Sequence, residues 1–162
     1  CLVSVFNYIS YHLLEAPFPL SQTLIGLISI AYLAGIYSSP KAAKWGFQYG
    51  RDKVLPILLL TMIVGLLITL IPTLWAILLG LTIFTFSFFA AHSTASSWVS
   101  VQAVQYRAVA SSLYLFCYYI GSSLLGSSGG LIWENFGWVG INFSVGMILV
   151  LGLILAAHLK RL

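Results

Sequence analysis

Residues 55–71 read LPILLLTMIVGLLITLI, a run in which Thr61 and Thr69 are the only polar side chains and none is charged. An amphipathic helix would leave one polar stripe and a half-buried strand would alternate; this run does neither and is apolar on every face. Such a helix needs apolar surroundings on all sides, and lipid supplies them. Hydrocarbon offers backbone groups no partner, so only helices and closed barrels cross it. Barrel strands alternate apolar and polar at every second residue. The run therefore reads as a membrane helix.

The same character extends outward along the chain. Of 162 residues, 60% are hydrophobic and 6% charged, where an ordinary soluble domain carries roughly a quarter charged residues. So few charges cannot cover a globule of this size. This excludes a soluble enzyme and a disordered chain. The net charge of +4 comes from seven Lys and Arg scattered among apolar runs; they form no basic face, so no nucleic-acid partner is expected. Cys1 and Cys117 lie far apart in sequence and give neither a disulfide framework nor metal-ligand spacing. The chain opens on Cys1 with no charged region ahead of its first apolar stretch, which predicts a piece of a longer membrane protein rather than one led by a signal peptide.

A helix crosses the ~30 Å hydrocarbon core in about 20 residues. Six segments approach that length: 1–14, short and stopped before Pro17 and Pro19; 24–39, closed by Pro40; 54–71, closed by Pro72; then 74–97, 109–133 and 139–158. The expectation is an all-α membrane protein, residues 1–162 forming one bundle of six transmembrane helices. Six crossings put the connections 40–53 and 98–107 on the side of the C-terminal residues 159–162. These three stretches hold Lys41, Lys44, Arg51, Lys53, Arg107, Lys160 and Arg161, every basic residue of the chain. The opposite connections, around Glu15, Pro72 and Glu134, hold none. The positive-inside rule then makes the basic side and the C-terminus cytoplasmic. Trp75, Trp98, Trp133 and Trp138 fall at segment ends and Trp45 in a connection, where an amphipathic ring reaches the headgroup region.

The connection GIYSSPKAAKWGFQYGRDKVL, residues 35–55, passes through Gly50 and Arg51 just ahead of the third segment. Here the chain resembles the major facilitator superfamily, whose members carry a cytoplasmic signature G-x-x-x-D-R-x-G-R after the second helix of each half. Gly50 and Arg51 match its end, Ala43 replaces its opening Gly, and Phe47 and Gln48 stand where it has Asp and Arg. The resemblance implies a gate-latching role for Arg51. By residue type alone, Arg51 and the neighbouring lysines are equally topology determinants.

In the fifth segment, SSLYLFCYYIGSSLLGSSGG at 111–130, Ser122, Gly126 and Gly130 repeat at i, i+4, i+8 and form a face without bulk. Membrane helices associate through such small-residue faces. The stretch also resembles the antiporter signature G-x-x-x-G-P-x-x-G-G of the same superfamily: Gly121, Gly129 and Gly130 match, while Leu125 and Gly126 replace the Gly-Pro pair. The face is read as packing, or as a bending element, with its partner in another half of the protein.

The fourth segment contains LTIFTFSFFAAHSTASSW, residues 81–98, with His92 well inside it. An ionisable group in a membrane helix is a functional candidate, and imidazole titrates in the range that proton exchange requires; the alternative is a neutral His bonded to a neighbouring helix. In the superfamily the first and fourth helices of each half line the central cavity. That implies Asn7, Thr85, Phe88 and His92 as substrate-cavity candidates. Glu15, Asp52 and Glu134 all sit at or beyond segment ends. No catalytic motif, cofactor fingerprint or metal-ligand cluster stands out, so neither an enzyme nor a bound cofactor is expected.

The segment APFPLSQTLIGLISIAYLAGIYSSP and the run YRAVASSLYLFCYYIGSSLLGSSGG look like bacterial efflux members of the drug:proton antiporter branch, including arabinose-type efflux permeases. The resemblance implies the C-terminal half of such a transporter in the cell inner membrane. It would export a small-molecule substrate against protons by alternating access, in company with an N-terminal six-helix half. The alternative is a homo-oligomeric six-helix membrane protein such as a small channel or assembly subunit.

Overall fold

The computed structural model describes residues 1–15, 18 and 20–159. Pro17 and Pro19, expected to stop the first segment, and the basic residues Lys160 and Arg161 lie outside the described residues. Helix α1 (Leu2–Leu14) buries Val5, Ile9 and Leu13 at i, i+4, i+8. The short α2 (Gln22–Leu27) starts at Ser21, whose Oγ accepts from the Leu24 N–H at 3.4 Å, and a 3-10 turn (Ile28–Ala31) carries it into α3 (Tyr32–Tyr49). Then follow α4 (Arg51–Ile68), α5 (Leu74–Gln102) and α6 (Arg107–Leu159). No strand occurs among the described residues.

Pro40 does not close the second segment, which continues helical to Tyr49. A proline inside a helix forfeits one backbone bond and crowds the preceding turn. Beside it the Ser38 and Ser39 hydroxyls both donate to the Gly35 carbonyl at 3.1 Å, whereas the carbonyl that the proline leaves without its helix bond is that of Ile36. Beyond it Ala42 and Gly46 are buried in the core. Lys41, Lys44 and Trp45 are therefore helical, and the expected connection 40–53 shrinks to Gly50. At φ 88° that residue turns the chain directly into α4, in a conformation open chiefly to glycine.

The fifth and sixth segments are likewise not separated by a loop. One residue, Gly137 (φ 56°, ψ −147°), breaks α6 into arms 107–136 and 138–159. Tyr114 and Tyr118 of the first arm border the same cavity as Gly152 and Ala156 of the second, so the arms fold back antiparallel. Near the break, the Trp138 indole N–H donates to the Thr69 carbonyl at 3.1 Å, and Asn142 Nδ2 to the Trp138 carbonyl at 3.1 Å. Thr69 Oγ1 lies 3.2 Å from Asn142 Oδ1. This buried network ties the end of α4 to the second arm of α6, satisfying polar groups that would be costly to leave unpaired.

Helix α5 packs against α3, α4 and α6. Against α4 the backbones themselves meet. A Cβ on Gly65 would stand 2.7 Å from the Phe84 nitrogen and 2.9 Å from the Gly80 oxygen, and one on Gly80 would stand 2.6 Å from the Gly65 oxygen.

Among the described residues, three helices qualify as membrane spans by length and composition: Gln22–Tyr49, Leu74–Gln102 and Arg107–His158. Helix α1 is shorter, and α4 includes Arg51, Asp52 and Lys53 in its first turn. The described charges sort to two ends. Arg51 bonds Ser97, and Ser93 bonds the Ser39 carbonyl, so the α3–α4 junction with its basic residues lies beside the last turns of α5, which lead through residues 103–106 to Arg107. Glu15 and Glu134 border one cavity with His12, Pro72 and Trp138, at the opposite end.

Candidate functional site

The four cavity candidates do not share one site. Phe88 and His92 on α5 border a cavity of about 450 Å³ with Met62 of α4, Tyr114 and Tyr118 of the first α6 arm, and Ala156 of the second. Asn7 borders another, of about 830 Å³, with Tyr8, Tyr11, Gln22, Trp133 and Glu134. Thr85 lines neither: it is fully buried, and its hydroxyl has no hydrogen-bond partner. Seven residues before His92, it falls two turns back along α5, where the helix is enclosed by its neighbours.

Around His92 the side chains form an aromatic column. The Phe88 ring is parallel to the imidazole within 2° at a centroid distance of 6.1 Å, and the Tyr118 ring lies at 4.8 Å. The column continues from Phe88 to Phe89 at 5.5 Å and from Phe89 to Tyr32 at 6.0 Å. His92 Nδ1 is 2.9 Å from the Tyr114 hydroxyl, which also lies 3.4 Å from the His92 carbonyl. A phenol donates to Nδ1 when that nitrogen bears the lone pair and accepts when it bears the proton. The pair thus keeps a hydrogen bond in either protonation state. Sequence reasoning missed Tyr114 and Tyr118, although their spacing of four residues in the fifth segment sets them on one face.

The signature residues lie at the α3–α4 junction. A Cβ on Gly50 would meet Asp52 Oδ1 at 2.5 Å. Arg51 Nε donates to Ser97 Oγ at 3.1 Å, and Ser97 Oγ donates to the Thr94 carbonyl at 3.0 Å. The guanidinium therefore fastens the start of α4 to α5.

Part of the small-residue face of the fifth segment has a partner within this chain. Tyr8 of α1 fills the hollow: a Cβ on Gly129 would stand 2.4 Å from the Tyr8 ring, and one on Gly130 would stand 3.8 Å from its hydroxyl, which donates to the Gly126 carbonyl at 3.2 Å. A bulky ring needs a bare backbone to approach this closely, which is why the glycines sit there. Gly121 faces open space, and neighbouring Ser122 is half-buried.

No family model and no solved structure matches the chain. Curated relatives do. The chain is 48% identical over 159 residues to a protein of Buchnera aphidicola subsp. Schizaphis graminum named an uncharacterized transporter, covering 98% of this chain and 38% of the relative. It is 42% identical to the uncharacterized MFS-type transporter YybF of Bacillus subtilis, covering 98% and 39%. It is 46% identical to the inner membrane transport protein YnfM of Escherichia coli, covering 98% and 38%. The chain thus spans about two fifths of the length of these relatives, all named for transport and none for catalysis. Mostly helical over its described residues, the chain aligns over 98% of its length with these transporters, one of which is named MFS-type.

Proposed function

We propose that this chain is the C-terminal six-helix half of a proton-coupled efflux transporter of the inner membrane, with its C-terminus cytoplasmic. Taking α2 and α3 as one rod and dividing α6 at Gly137 gives six rods. The observation that carries the reading is the sorting of charge between their ends. Lys41, Lys44, Arg51, Lys53 and Arg107 gather where α3, α4 and α5 meet, and Glu15 and Glu134 gather at the other end. If any one of the four rods between Glu15 and Glu134 failed to cross, the two groups would mix across the bilayer, against the positive-inside rule. The relatives' length, of which the chain matches 38% to 40%, favours a half-bundle over a homo-oligomer.

Alternating access follows from two bundles rocking about a midplane site. Within this half, His92 is the proton-exchanging group and Tyr114 its hydrogen-bond partner, at the wall of the smaller cavity. Arg51 holds α4 to α5 while the cytoplasmic side is closed.

Single thiols in the full-length transporter test the topology, with Cys1 and Cys117 replaced. A membrane-impermeant maleimide added to right-side-out vesicles should label a cysteine at Glu134 and spare one at Lys44; labelling of both from one side ends the reading. In proteoliposomes with an imposed pH gradient, a transported probe should dissipate the gradient through the wild type and not through His92→Gln.

A further inference from the structure

The cavity beside Asn7 and the cavity beside His92 share no lining residue, yet a continuous series of rings runs from one wall to the other. Phe6 of α1 lines the first cavity, and its ring lies 4.6 Å from that of Tyr32 at the start of α3. Tyr32 meets Phe89 of α5 edge-on at 6.0 Å, and Phe89 meets Phe88 edge-on at 5.5 Å. Phe88 is then stacked parallel to the His92 imidazole at 6.1 Å. Every link falls within the range over which ring pairs attract. Successive helical residues point about 100° apart, so Phe89 can face α3 while Phe88 faces the His92 cavity. A Cβ on Gly35 would overlap the Phe89 ring; the ring rests against the bare backbone of α3 and has to turn when α3 or Tyr32 moves. Phe88, in edge contact with it, follows.

A ring presents a negative face and a positive edge. Stacked on the imidazole, Phe88 favours its protonated form; swung away or edge-on, it withdraws that support. A molecule pressing on Phe6 therefore loosens the hold of His92 on its proton without touching it, and linkage makes the effect reciprocal. We propose that Phe89, seated on Gly35, is the positioning residue that couples occupancy of the Asn7 cavity to the proton on His92. The proposal rests on the reading of His92 as the proton-exchanging group and adds the regulation of that site. The other titratable groups bordering the His92 cavity are the Tyr114 and Tyr118 phenols of α6 and the Cys1 thiol. Among the described residues no carboxylate, lysine or arginine borders it, so no switched ion pair there can carry the link.

The test uses the purified full-length transporter in detergent, with Asn7→Cys introduced and every other cysteine replaced. N-ethylmaleimide attached at Asn7→Cys fills the cavity without any knowledge of the substrate. Diethyl pyrocarbonate attacks neutral imidazole, and its rate at residue 92, followed by peptide mass spectrometry as the pH is varied, reports the protonation of His92. Filling the cavity should move the midpoint of that profile to lower pH by about half a unit. Phe89→Leu should lower the midpoint before labelling and abolish the further shift on labelling. Tyr32→Leu, at a half-buried position, should abolish it too and serves if Phe89→Leu does not fold. Phe143→Leu, at an exposed position in another groove, should keep the shift. Helix α1 and the first arm of α6 reach both cavities, so rigid movement of either is the competing route. A shift that survives both Phe89→Leu and Tyr32→Leu overturns the proposal, as does a titrating His92 whose midpoint ignores the label. A rate at residue 92 that does not change with pH removes the proton reading of His92 itself, and the proposal with it.

Discussion

Two of the helix contacts built on glycine differ in what the glycine meets. Between α4 and α5, Gly65 and Gly80 meet backbone: each would drive a Cβ into the other's carbonyl oxygen, at 2.9 and 2.6 Å. Between α1 and α6, Gly129 meets the Tyr8 ring at 2.4 Å from an added Cβ. A backbone clash is relieved only by moving a helix, whereas a ring can swing about χ1 and χ2. The first contact is therefore a fixed weld and the second an adjustable seat. Gly35, whose added Cβ would stand 2.2 Å from the Phe89 ring, joins α3 to α5 in the second manner and connects to the column that ends on His92.

The contrast breaks most readily at the weld. Gly65→Ala should cost about 3 kcal/mol or more, since over-packing that forces backbone apart exceeds the usual cost of an added methylene; thermal unfolding of the full-length transporter in detergent measures it. Gly80→Ala in the same background should add little, because both variants separate one helix pair. Gly129→Ala should cost less, roughly 1–2 kcal/mol, and Tyr8→Leu should restore most of that loss by removing the ring. If Gly129→Ala proves as damaging as Gly65→Ala and Tyr8→Leu rescues nothing, the distinction between weld and seat is lost. Asn142→Ala should cost roughly 1 kcal/mol by leaving the Trp138 and Thr69 groups with fewer partners. Smallest of all, Gly121→Ala meets open space and should change stability by under about 1 kcal/mol, with helix propensity favouring Ala.

The sequence made the helical class legible because runs such as 55–71 are apolar on every face. It made the small-residue face of the fifth segment legible because glycines four residues apart share a side. The weld escaped notice for the opposite reason. Gly65 and Gly80 are lone glycines in separate segments, and no spacing within either segment reveals that each lies against the other's carbonyl. That Tyr8 of α1 occupies the Gly126–Gly129–Gly130 face was not legible, because a groove specifies a bulky occupant but not which helix brings it. His92 stood out by its type, whereas Tyr114 and Tyr118 looked like ordinary aromatic filling until their positions against the imidazole were known. Pro40 misled because a proline costs a helix one backbone bond without ending it, and the turns beyond it bury Ala42 and Gly46 in the core.

The sorting of charge has a practical corollary for anyone handling the protein in sealed vesicles. Trypsin cuts only after lysine or arginine, and the described targets, Lys41, Lys44, Arg51, Lys53 and Arg107, crowd one rim of the bundle. Digestion from the opposite compartment should leave this portion of the chain whole, while digestion from the basic side can open it near residues 103–107, where α5 and α6 are joined by a turn rather than by continuous helix. A band pattern on a gel then reports which way the molecule was inserted.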